Sequence, residues 1–301
     1  MQTIKIITLM LTALVLLTAV SCQPELTSQT FDREGNPVTL PQRVERVISL
    51  GPSNTEILIA LGFADKIIAA DNFSRGIDGL PADIPFFDML APDVEQIIHL
   101  EPDVLFVTGM CKAGGVNPFK SVSNAGACVI FIPSSTSIAG IQEDIRFIAQ
   151  VMVAGEKGED IVADMEQEIA AIANIGATIT DKKTVYFEIS TSPHLYSFGR
   201  NVFLNEMIEM IGAVNILADM NKWVAVSGEV IQDRNPDVIL TSVDYIDKPV
   251  DAILSRPGWG SMTAIQNRDV YYIDTTTSNC PTHNITKTLR EMAKAVYPEW
   301  Y

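Results

Sequence analysis

The sequence predicts an α/β protein of two parallel-sheet lobes, and three observations predict it. Short apolar strands alternate with helical periodicity along most of the chain. A segment of the first half is echoed in the second, and a long charge-rich helical stretch separates the two. A chain of 301 residues is also long for one core and comfortable for two.

The first 21 residues stand apart from this pattern. Lys5 is followed by an apolar run, Ile6 to Val20, that carries no charge. The run is short for a bilayer span, which needs about 20 residues, but it has the length of a signal-peptide core. It ends in Leu17-Thr18-Ala19-Val20-Ser21-Cys22, where small residues before a cysteine resemble a bacterial lipobox with Cys22 as the lipidated residue. A plain secretory peptide ending near a cysteine is the competing reading. In either case the body is expected to be extracytoplasmic, and on the first reading it is held to the membrane only by its lipid anchor.

Residues 22–43 read as a polar linker entering a small hairpin at Asp32-Arg33-Glu34-Gly35-Asn36-Pro37. A first lobe is expected over 44–155. It opens with the strand Arg46-Val47-Ile48-Ser49-Leu50, breaks at Gly51-Pro52 and enters a helix through Ile57, Leu58 and Leu61 that Gly62 stops. Ser53 and Glu56 have the spacing of a capping box at the start of that helix. Strands follow at Lys66–Ala70, Val104–Val107 and Val129–Ile132, then a helix through Ile141, Ile145, Ile148 and Met152. Over 156–180, Ile161, Met165, Ile169 and Ile172 recur at helical spacing among Asp and Glu, as expected of a rigid bridging helix. A second lobe over 181–301 restarts with Val185-Tyr186-Phe187-Glu188-Ile189.

The echo ties the halves together. Glu95 precedes Pro102-Asp103-Val104 just as Glu229 precedes Pro236-Asp237-Val238, and the two copies are offset by 134 residues. Two Rossmann-like lobes of similar plan, with a ligand cleft between them, follow from that repetition.

Composition narrows the function. The 37 acidic against 21 basic residues give a net charge of −16, which leaves no basic surface for nucleic acid. Lipase-type, zincin, P-loop and dinucleotide motifs are absent from the sequence. Three scattered histidines give no dedicated metal cluster, so neither a resident metal nor a cofactor is expected. Cys111, Cys128 and Cys280 are an odd set: Cys128 reads as a buried thiol, and a bridge involving Cys111 or Cys280 stays open.

Loops after the strands carry the candidate ligand contacts. In the first lobe they are Ser53 and Asn54 at a helix start, Phe73 and Arg75, Met89, then Met110 and Lys112. In the second they are His194, Tyr196 and Arg200, then Trp223 and Tyr245. Aromatic faces with a few cations suit a large, flat, partly anionic small molecule. Each side chain taken alone also has an ordinary packing or capping role.

The segment Arg46-Val47-Ile48-Ser49-Leu50-Gly51-Pro52-Ser53-Asn54-Thr55-Glu56 resembles the opening of the cluster-A (class III) binding proteins for vitamin B12, ferric siderophores and haem. So do Leu61-Gly62, the paired Glu…Pro-Asp segments, and Ser197-Phe198-Gly199 leading to Ile211-Gly212-Ala213-Val214-Asn215. The resemblance implies a monomeric, non-enzymatic binding protein of an ABC importer that captures an iron- or cobalt-containing chelate. It implies that Glu95 and Glu229, one per lobe, enter arginine pockets on a dimeric permease. Trp223-Val224-Ala225-Val226-Ser227 resembles the segment of the B12 binders whose tryptophan packs on the corrin. Met89 and Leu195 stand where those proteins carry aromatics, whereas Arg75, Lys112 and Arg200 suit an anionic ferric siderophore. Tyr196 or Tyr245 would meet the iron of haem. A free-metal binder, a chelatase-like enzyme on a related two-lobed fold, and a surface adhesin are the alternatives.

Overall fold

A computed structural model describes residues 29–112 and 115–301. The expected signal peptide and Cys22 lie outside the described residues. A hairpin of β1 (Gln29–Phe31) and β2 (Pro37–Thr39) precedes the first lobe. That lobe contains β3 (Val47–Leu50), α1 (Pro52–Ala60), β4 (Ile67–Asp71), β5 (Phe86–Phe87), α2 (Val94–His99), β6 (Val104–Thr108), α3 (Lys120–Asn124), β7 (Cys128–Ile132) and α4 (Ile138–Val151). Its five strands are parallel, in the order β5-β4-β3-β6-β7.

The bridging helix α5 runs from Gly155 to Gly176, 22 residues, or about 33 Å at 1.5 Å per residue. Beyond it come β8 (Thr184–Glu188), β9 (Tyr196–Phe198), α6 (Phe203–Met210), β10 (Val214–Asn215), β11 (Trp223–Ala225), α7 (Gly228–Arg234), β12 (Val238–Thr241), α8 (Pro249–Leu254), α9 (Thr263–Asn267), β13 (Val270–Tyr272), α10 (Thr275–Ser278) and α11 (Ile285–Val296). Strands β10-β8-β12-β13 form a second parallel sheet, while β9 and β11 pair as an antiparallel ribbon.

The strands are apolar throughout because both faces of each sheet are covered. In β6, Val104 and Phe106 pack on one side, and Leu105 and Val107 on the other. In β8, Val185 and Phe187 face the same cluster as Val104, whereas Tyr186 joins a separate one with Trp259. The shared cluster takes in Val162, Met165 and Ile172 of α5 together with Leu289 and Met292 of α11. One continuous core thus runs through the bridging helix from lobe to lobe.

The echo has a structural cause. Asp103 accepts hydrogen bonds from the amides of Glu45 and Arg46 at 2.7 and 2.9 Å, just before β3. Asp237 accepts from the amide of Thr184, at the start of β8, at 2.7 Å. Each Pro-Asp-Val therefore pins the start of its lobe's central strand, and Val104 and Val238 then register opposite Val47 and Val185. Asp93 and Ser227 cap the helices that carry Glu95 and Glu229. Both glutamates lie exposed in a first turn, where a carboxylate complements the helix dipole.

The capping box at Ser53 does not form. Helix α1 begins at Pro52, with Gly51 and not Ser53 at the cap position; the fixed φ of Pro52 suits a first helical residue, and no side chain caps the helix. Glu56 instead turns inward and crosses to the other lobe: its Oε2 accepts from Thr282 Oγ1 at 2.8 Å and Asn284 Nδ2 at 2.9 Å.

Candidate functional site

In both lobes the strand order reverses beside the central strand, between β3 and β6 and between β8 and β12. Loops leaving the carboxyl ends of strands at such switch points diverge and leave a crevice, the usual ligand position in parallel α/β sheets.

In the first lobe these ends are stiffened by Asp71, the fully buried last residue of β4. Its carboxylate accepts from the Gly51 amide at 2.9 Å, the Ser74 hydroxyl at 2.6 Å and the Phe73 amide at 2.8 Å. Burial pushes the Asp71 carboxyl above the usual range, and these hydrogen bonds offset only part of that rise. A Cβ at Gly51 would lie 2.5 Å from Thr108 Cγ2, so a larger residue there would force Thr108 to shift. This network presents Phe73 at 64 % exposure and leaves Met110, after β6, similarly open to solvent.

Other first-lobe candidates are buried, paired or only partly exposed, and both polar side-chain atoms of Asn54 are buried without a partner among the described residues. Met89 is only 2 % exposed and packs in the lobe's core with Phe87 and Ile97, so the expected contact there is corrected to a packing role. Asn54 is fully buried, while Ser53 is partly exposed. Lys112 pairs with Glu34 of the hairpin and lies 3.8 Å over the Phe131 ring. Arg75 stacks at 4.1 Å on Phe86 but remains exposed.

In the second lobe the β9–β11 ribbon brings two candidates together. Trp223 registers opposite Phe198, and Ala225 opposite Tyr196, so Tyr196 and Trp223 project from one face. Trp223 meets the buried Phe198 ring edge-on, with centroids 5.9 Å apart, while 40 % of its surface stays open. Tyr245, after β12, is 62 % exposed, and its hydroxyl reaches the loop between β8 and β9. His194 is exposed on that same loop, and Arg200 is exposed just past the ribbon.

Three features escaped sequence reading. Glu188 closes β8 and pairs with Arg256 through two contacts of 2.7 and 2.8 Å, with both side chains nearly buried. Arg256 also lies 4.1 Å over the ring of Trp259. Glu56 forms the interlobe contact described above, beside a cavity of about 470 Å³ lined by Asp78, Asp274, His283 and Lys287. The available signal was an acidic residue ending an otherwise apolar strand, as both Asp71 and Glu188 do.

Among the described residues, no group of three or more His, Cys, Asp or Glu could hold a metal ion, and no helix is long and apolar enough to cross a membrane. Cys111, Cys128 and Cys280 are free thiols, and burial pushes Cys128 up to about 11.

Two parallel-sheet lobes joined by one helical bridge, with exposed aromatics on both, are the architecture of a substrate-binding protein. The chain belongs to the periplasmic binding protein family, whose sequence profile matches residues 47–277. It is similar to an ABC transporter substrate-binding lipoprotein, YvrC, of Bacillus subtilis, at 28% identity over 90% of this chain and 85% of that protein. A cobalamin-binding protein of Halobacterium salinarum is 26% identical, over 88% of this chain and 73% of its own. Among solved structures, a possible iron-binding periplasmic protein of Staphylococcus epidermidis superposes with a TM-score of 0.75 at 26% identity, covering 85% of this chain and all of that one.

Proposed function

We propose that this protein is the non-enzymatic, monomeric capture subunit of an ABC importer, tethered through Cys22, and that it carries a metal chelate to a dimeric permease. The observation that carries the reading is the set of exposed rings at the strand ends of both lobes: Phe73 on one side, and Tyr196, Trp223 and Tyr245 on the other. Exposed aromatic surface of this kind is costly in water and favourable against a flat macrocycle or aromatic chelate. The chelate is cargo, either a corrinoid or an iron complex. The name of the Halobacterium salinarum relative supports a corrinoid, and that of the Staphylococcus epidermidis structure an iron complex.

Arg75 and Arg200, exposed near these rings' loops, supply positive charge for an anionic chelate. Lys112 contributes less, because Glu34 already neutralises it. Haem iron, if haem is the cargo, has Tyr196 as the better-placed phenol, since the Tyr245 hydroxyl is already bonded. A free-metal binder is not favoured, given the lack of a His/Cys/Asp/Glu cluster among the described residues.

Docking rests on the pseudo-symmetry of the lobes. Glu95 and Glu229 occupy matching first-turn positions, so a two-fold permease could receive both through the same kind of basic pocket. The test is uptake in cells carrying Glu95→Ala and Glu229→Ala together. Loss of uptake with chelate affinity intact is expected; undiminished uptake would contradict the docking mechanism. Intact affinity with lost uptake also separates an importer subunit from an adhesin.

A further inference from the structure

The Tyr245 hydroxyl is spent within the protein. It accepts the Thr191 amide at 3.0 Å and shares a hydrogen bond with Ser190 Oγ at 3.1 Å. A phenol has one donor and two acceptor sites, so these two bonds use most of its capacity. The ring meanwhile stays 62 % exposed.

Both bonds fall on residues 189–195, the segment joining β8 to Tyr196. Its base is closed by Tyr196 itself, whose carbonyl accepts from Ile189 at 2.9 Å and whose amide donates to Ser190 at 3.1 Å. A second anchor reaches the same segment from below. Arg256 Nη2 donates to Thr191 Oγ1 at 2.9 Å while the guanidinium grips Glu188 with both nitrogens. Trp259, itself buried and edge-on to Tyr186, backs that guanidinium. Thr191 is thus held twice, by its amide to Tyr245 and by its hydroxyl to Arg256.

We infer that Tyr245 and Arg256 are positioning residues that clamp Thr191 and so fix where Tyr196 stands beside Trp223. This rests on the chelate-binding reading for its consequence in affinity, though not for the clamp itself. The contribution of Tyr245 to binding then runs through its hydroxyl and the loop. A purely stacking tyrosine would lose nothing on becoming phenylalanine.

The test uses Tyr245→Phe in the mature protein, which keeps the ring and removes the oxygen. Hydrogen exchange at the Thr191 amide, read by NMR without any ligand, is expected to quicken by about three- to tenfold, the range set by losing one ordinary hydrogen bond. Ser190→Ala should quicken it less, and the double variant should fall short of the product of the two effects, because they share one oxygen. Titration with haemin and with cyanocobalamin should show several-fold weaker binding of whichever chelate the wild type takes, while the global unfolding midpoint stays near that of the wild type. Unchanged Thr191 exchange would overturn the clamp, whatever happens to affinity. Faster exchange with undiminished affinity would overturn the positioning role. If the wild type binds neither probe, the chelate reading is the one in difficulty, and the exchange measurement still decides the clamp.

Discussion

Glu56 and Thr282 stand 226 residues apart and meet in a 2.8 Å hydrogen bond that ties α1 of the first lobe to the segment before α11 of the second. Asn284 adds a second bond to the same carboxylate oxygen, and Glu56 is only 8 % exposed. With α5, and with the bond of 2.9 Å that the Ile138 amide donates to Glu206 Oε2, it links the lobes through both chain and polar contacts. Glu56→Ala strands both donors, and a buried unsatisfied group costs about 1–3 kcal/mol. Urea denaturation should register a loss of that order. Exchange in residues 282–287 should quicken more than exchange in the β3–β6 core. A uniform change across the chain would argue against a latch.

The Glu188–Arg256 pair is nearly buried on both sides, so its halves are not equivalent to surface charges. Removing one partner leaves the other unpaired in a dry site, at about 3–5 kcal/mol. Arg256→Met should lower stability by that amount. Glu188→Gln combined with Arg256→Met should recover part of it, and denaturant midpoints of the three variants would show whether it does.

The end of the bridging helix is fitted to the second lobe without spare room. A Cβ at Gly176 would fall 2.1 Å from the Met210 carbonyl oxygen and 2.8 Å from the Gly212 amide, both backbone atoms that cannot swing aside. Gly176→Ala should cost about 1–3 kcal/mol by forcing α5 away from α6. Gly155→Ala, at the other end of the same helix, meets nothing within 4 Å. It should be neutral or slightly stabilising, which makes the pair a controlled comparison by thermal melting.

His283 lines the interlobe cavity and a second cavity between α5 and α11, its Nδ1 buried without a partner among the described residues. Burial, and then Lys287, hold its pKa below the ordinary 6.5. A histidine depressed on folding stabilises the fold fully above its unfolded pKa. That contribution falls away as pH drops below about 6.5 toward the folded value, because the unfolded chain takes up the proton first. Glu56, Asp78, Asp274, Asp164, Glu168 and Arg290 also line these cavities, so the comparison must be made against a variant. His283→Gln should lose less stability than wild type between pH 7 and pH 5, measured by chemical denaturation. An equal loss would show that the histidine takes no part.

The sequence made the strands and bridge legible because both sheets are covered on both faces and α5 keeps a strict apolar stripe. The echo was legible too, since Asp103 and Asp237 each do the same backbone work. Contacts made by single polar side chains across long separations were not legible. Glu56 has capping-box spacing, and only the fold shows that its carboxylate leaves the helix for Thr282. Met89 sits in a run with Phe86 and Phe87, and its turn into the core depends on how β5 lies against β4. Exposure of Trp223 was readable from its polar neighbours Asn221 and Lys222. The pinning of the Tyr245 hydroxyl needed the geometry of two loops at once.

The central claim is that the exposed rings of Phe73, Tyr196, Trp223 and Tyr245 take a chelate. The protein has three tryptophans, of which Trp259 is buried and Trp300 lies at the C-terminus, so quenching can be assigned with two variants. The decisive measurement is tryptophan fluorescence of residues 23–301 titrated with cobalamin, cobinamide, haemin and ferric siderophores, in wild type, Trp223→Ala and Trp300→Phe. Saturable quenching by one class is predicted, weakened at least tenfold in Trp223→Ala and unchanged in Trp300→Phe. Equal affinity in wild type and Trp223→Ala, or no saturable binding of any chelate, would contradict the account.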